Sequence, residues 1–142
     1  MFGAGAQSAA YWGGADNLTA SILFSFGEHV GMAVKLKTDL KELGKKQIVK
    51  QKIKNYELWS PMCFLLHECL PDNQRLEISK KIQNEIDDHE TVNEILNLIN
   101  EHDLTDMVKS EAEKELKLAK ECLLNLEIDT RHLLPLTQFS VI

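Results

Sequence analysis

Apolar residues recur at spacings of three and four along most of this chain, with no run of strict alternation. That pattern predicts helices rather than strands. Residues 2–13 are small and apolar up to Gly13 and Gly14, and predict a tightly packed helix. Asp16 or Asn17 can cap the next helix, which the periodicity carries to about Leu43, with Gly44 as the stop. At about 1.5 Å per residue that helix is roughly 40 Å long. Its apolar residues, among them Phe24, Phe26, Val30, Ala33, Val34 and Leu36, need neighbours on more than one side. Residues 44–57 read as a polar, lysine-rich connector with weak periodicity. Ser60 as N-cap and Pro61 at the first helical position start a nearly all-apolar helix over 62–70, which Pro71 ends. Leu76, Ile78, Ile82 and Ile86 form the next stripe. Thr91 and Glu94 have the spacing of a capping box ahead of Ile95, Leu96 and Ile99. A longer helix is predicted from Asp103 or Thr105 to about Leu126, and a last one from Asp129 or Thr130, cut short by Pro135. The expectation is an all-α fold in one domain, residues 1–142.

Composition changes this picture little. The 142 residues are 44% hydrophobic and 27% charged, which suits one domain with one core. No apolar run is long enough to cross a bilayer. Cys63, Cys69 and Cys122 are an odd number without metal-ligand spacing, in apolar helical settings, and read as buried reduced thiols. Charge is more informative. Eight lysines between positions 35 and 54 face only Asp39 and Glu42, a local +6 in a chain of net charge −6, so the remainder carries −12. An acidic body with one basic segment argues against general nucleic-acid binding. The segment suits an anion, an acidic membrane surface or an acidic partner at one place, or else is a solvated connector. Neither a phosphate-cradling glycine loop nor a Ser/His/Asp or Cys/His spacing is present.

The most distinctive stretch runs from Phe26 to Glu42. It begins small and apolar and ends charged. Asp39 and Glu42 share a helix face, with Lys35 and Thr38 one turn earlier. The stretch resembles the second aspartate-rich helix of the trans-isoprenyl diphosphate synthases, roughly G-x-x-x-G-x-A-F-Q-x-x-D-D-x-x-D. Lys35 stands at the glutamine of that pattern, Thr38 at the first aspartate, Asp39 at the second and Glu42 at the last. The resemblance extends over the chain unevenly. Ser60 to Leu66 matches the place of the family's K-x-T-L-P helix start, and the tail from 119 to 139 is similar to its closing helices. Gly27, His29 and Met32 leading into Lys35-Leu36, and Ser60-Pro61 leading into Leu66-His67-Glu68, are most similar to the non-catalytic subunit type found in decaprenyl diphosphate synthase.

The resemblance implies the C-terminal part of an isoprenoid-synthase-like helical bundle, about half of a complete subunit, starting after the first aspartate-rich motif. It implies a non-catalytic, regulatory subunit of a trans-polyprenyl diphosphate synthase for ubiquinone side chains, and hence a mitochondrial location. The catalytic subunit would be the partner and would hold the Mg²⁺; no metal or cofactor is expected on this chain. Lys35, Thr38, Asp39 and Glu42 would be a degenerate remnant, in contact with a prenyl diphosphate or simply an exposed helix end. The stripe Phe24, Phe26, Val30 and Val34 would meet the partner or pack in the core. Two other readings stay open: an active prenyltransferase of the ComQ regulatory type, and a truncated helical protein-binding module. His29 reads as a packed, hydrogen-bonded histidine, because no further ligand shares its face.

Overall fold

The computed structural model describes residues 1–55, 57, 59–84 and 89–138, without the side chain of His89. Every regular element among them is helical: α1 (Phe2–Trp12), α2 (Asn17–Leu43), α3 (Lys46–Lys54), α4 (Ser60–Phe64), a π-helical turn (Leu65–Cys69), α5 (Asp72–Asn84), α6 (His89–Glu101), α7 (Leu104–Leu124) and a 3₁₀ turn (Leu134–Thr137). The fold is all-α, as the apolar spacing predicts. None of these helices is long and apolar enough to cross a membrane.

Contacts divide the chain into two compact units. One comprises Met1–Lys37 with Ser110–Ile142, and the other Thr38–Lys109. The division falls inside α2 and inside α7.

In the first unit, Phe26 and Val30 of α2 form a core with Ala119 and Leu123 of α7. Leu126, Leu133 and Leu134 pack against it. His29, one position before Val30, bonds through Nδ1 to Glu115 Oε2 at 2.7 Å. A carboxylate only accepts, so Nδ1 carries the proton. Helix α1 meets α2 backbone to backbone. A Cβ at Gly27 would lie 2.6 Å from the Phe2 carbonyl oxygen, and one at Gly3 would lie 2.8 Å from that of Phe24. Only Gly3 and Ala10 of α1 are buried, so this helix is far less enclosed than its composition suggests. Asp16 caps α2 by accepting from the Thr19 N–H at 2.7 Å. That bond, with a contribution from the Thr19 hydroxyl, holds the Asp16 carboxyl below its usual range.

In the second unit, Val49 and Ile53 of α3, Ile78 and Ile82 of α5, Val92, Ile95 and Ile99 of α6, and Leu104 surround Trp59, Leu65 and Leu70. The expected connector over 44–57 is therefore in large part a helix. Val49 and Ile53 are four apart, and that pair alone gives α3 a buried edge among its lysines. The helix expected over 62–70 is an α-turn running into a π-turn, closed by Leu70 N–H to Leu65 O at 3.0 Å. Thr91 lies inside α6 and is buried, rather than capping it. Glu94 instead pairs with Lys81 of α5 at 2.8 Å. Leu76 faces solvent, and Ile86 lies outside the described residues. Among the described residues after α7, a short 3₁₀ turn at Pro135 takes the place of the expected last helix.

Candidate functional site

Residues 38–43 are the last turns of α2 and belong to the second unit. Asp39 lies among the apolar positions Leu36 and Leu43, and its surface exposure is 0%. A carboxylate so enclosed must have its lone pairs occupied by donors. Two donors come from Ser60, at the start of α4. Its backbone N–H donates to Asp39 Oδ2 at 3.0 Å, and its hydroxyl donates to the same oxygen. The first N–H groups of a helix have no partner within the helix. Asp39 supplies one from 21 residues away, while the buried Pro61 next along has no N–H to satisfy. The Ser60 hydroxyl is thus turned toward Asp39 rather than toward its own helix.

Glu42, one turn on, is half-buried and pairs with Lys52 of α3 at 3.0 Å. Lys52 also reaches Glu57 at 3.2 Å. Burial works against the charge of Lys52, but its bonds to Glu42 and Glu57 outweigh this and raise its pKa above the ordinary lysine value. One member of the basic segment is therefore an internal tie. Thr38 is exposed in this unit, and Lys35 is exposed on the part of α2 that belongs to the first unit. Among the described residues, no three His, Cys, Asp or Glu side chains are grouped so as to hold a metal ion.

The apolar stripe has a different setting. Phe26 and Val30, each 4% exposed, are core residues of the first unit, and Val34 packs against that core. Phe24 is half-buried beside Gly3. The large apolar side chains that α2 presents to solvent are Leu18 and Met32.

A concavity in Thr38–Lys109 has a volume of about 240 Å³; Ile53, Met62, Leu66 and Ile82 line it together with polar residues that include Lys52, Glu57 and His67. No sequence motif marks it, because its walls come from α3, α4, the π-turn and α5. Ser60 and Lys52 were equally hidden as partners of Asp39 and Glu42. Ser60-Pro61 carries a complete local explanation as a helix start, and a lysine in a lysine-rich run gives no sign of which carboxylate it meets.

No family model matches the chain, and neither a curated protein nor a solved structure does.

Proposed function

We propose that this chain is a non-catalytic subunit supporting a catalytic trans-polyprenyl diphosphate synthase of the decaprenyl or solanesyl type, acting in mitochondrial ubiquinone side-chain synthesis. The reading grows from the resemblance of residues 26–42 to the second aspartate-rich helix. The observation that carries it is the state of Asp39. In a metal-binding helix of that kind, carboxylates present oxygens to Mg²⁺ and to substrate phosphates. Here the retained aspartate is fully enclosed and bonded to Ser60. Glu42 is held by Lys52. Both carboxylates serve the chain's own packing, and the frame of the motif survives as a structural joint. The magnesium and its aspartates would belong to the catalytic partner. This chain would contribute helical surface, with the exposed Leu18 and Met32 of α2 as the side chains that meet it.

The test has two arms. The purified chain, given isopentenyl and allylic diphosphates with Mg²⁺, is expected to show no turnover above background. Co-expressed with a catalytic polyprenyl synthase subunit, it is expected to co-purify, and Met32→Asp is expected to weaken that association while leaving the circular dichroism spectrum unchanged. Turnover by the chain alone that disappears in Glu42→Gln would overturn the reading. So would failure to co-purify with any catalytic subunit tested.

A further inference from the structure

A groove between α6 and the junction of α2 with α3 lies wholly within Thr38–Lys109. Its volume of about 540 Å³ falls within the roughly 300–1,000 Å³ of ligand sites. Leu43 and Leu96, both half-buried against the core, form its apolar part. Asn93, Asn97 and Asn100 stand along α6 about one turn apart, and Lys46 stands at the start of α3.

Three asparagines in one row are not explained by the helix that carries them. Asparagine is among the poorer helix formers, because its carboxamide favours caps and turns. Asn93 and Asn97 lie inside α6, where there is nothing to cap. All three are exposed, and no hydrogen bond engages their side chains among the described residues. The row offers a repeated pair of functions, since each carboxamide carries two donors and an acceptor.

An extended peptide repeats the matching pair. Its N–H and C=O groups are free on each edge, and those of one edge recur every two residues, about 6.6–6.8 Å. Asn93 and Asn97 are four residues apart on a helix, about 6 Å along its axis. Successive side chains of such a segment point to opposite sides. One set would settle on Leu43 and Leu96. The other would point outward, within reach of the long lysine side chains.

Charge selects the sequence. Lys46 and Lys50 are one turn apart on α3, and neither is held in an ion pair among the described residues. No acidic residue occupies the first turn of that helix. The residues lining the groove include Lys46 and no carboxylate. Glu90, Glu94 and Glu101 lie on the flank of α6 beyond the asparagines, and Glu94 is taken up by Lys81.

We infer that this groove docks an extended acidic peptide segment of a protein partner. The backbone of the segment bonds the carboxamides of Asn93 and Asn97, and its carboxylates pair with Lys46 and Lys50. Such docking needs neither a catalytic prenyltransferase subunit nor a diphosphate.

The experiment titrates the full chain with the peptide acetyl-Ser-Glu-Leu-Glu-Ser-amide. The backbone amide of Leu96 and the side-chain amide of Asn100 are followed by NMR. Both are expected to shift saturably, with half-saturation on the order of 1 mM for so short a peptide. The same peptide with lysines in place of the glutamates, and the acidic peptide with N-methylated backbone nitrogens, are each expected to bind at least fivefold more weakly. Asn93→Ala with Asn97→Ala should weaken the acidic peptide at least fivefold, and alanine's higher helix propensity keeps that variant folded. Lys46→Gln with Lys50→Gln should remove the preference for the acidic peptide over the lysine peptide. Equal binding of the two peptides by the parent chain overturns the inference, as does undiminished binding by the asparagine variant or a response that does not saturate. Retention on phosphatidylserine vesicles without any response to the peptide also overturns it, since the lysines then face a membrane surface.

Discussion

Asp39 is the residue on which most of the local argument turns. Its carboxylate, itself 0% exposed, is the acceptor for two donors of Ser60. Asp39→Ala removes the acceptor of the Ser60 N–H and hydroxyl, and is expected to lower unfolding free energy by about 1–3 kcal/mol in urea. Asp39→Asn keeps an acceptor of the same shape and should lose less. Lys41→Ala, on the exposed side of the same turn, should stay within about 0.5 kcal/mol of the parent. An equal loss in all three variants would mean that the turn as a whole, and not the Asp39–Ser60 bond, supports the joint. None of this was legible in the sequence. The motif spacing identified Asp39 and Glu42 as the residues to watch, but the same pattern serves metal binding, helix capping and a plain helix end. What separates those outcomes is burial and a partner 21 positions away, and neither leaves a trace in local periodicity.

At the level of helices the pattern was far more informative. Helices α2 and α7 are long, and their apolar positions repeat over many turns, so their extents agree with the spacing to within a residue or two. Helix α3 was missed because two buried residues in nine are a weak signal among lysines. The π-turn was missed because a continuous apolar run has no period from which an extra residue could be detected. The glycines of α1 and α2 make a sharper statement about packing than composition does. A side chain at Gly27 would run into the backbone of Phe2 and Gly3, whereas one at Gly5 would meet nothing within 4 Å. Gly27→Ala is therefore expected to push α1 off α2 and to destabilise by about 1–3 kcal/mol. Gly5→Ala should gain about 0.5–1 kcal/mol from helix propensity alone. Thermal melts of the two variants should shift in opposite directions; a shared direction would mean that α1 is not held against α2 in solution.

Across the whole molecule, solvent-facing apolar side chains concentrate in the unit made by the two ends of the chain. Trp12 is 93% exposed, Leu124 73% and Leu18 70%, and Phe2 and Met32 are about half exposed. Exposure on this scale favours association, which a net charge of −6 opposes. Salt screens that repulsion. Sedimentation is expected to show the chain self-associating as ionic strength rises, and Leu18→Glu with Trp12→Ser should reduce this. A salt-independent monomer would show that the exposed residues do not drive contact. The division of the chain also has a consequence in time. Residues 38–109 are one uninterrupted stretch of chain, whereas Phe26 and Val30 lack their core partners until Ala119 and Leu123 have been made. At about 5–20 residues per second, the roughly 90 residues between them take on the order of 5–20 s to synthesise. During that interval the apolar stripe of α2 lacks its α7 partners, so any chaperone or neighbouring polypeptide that covers it does so ahead of Ala119 and Leu123.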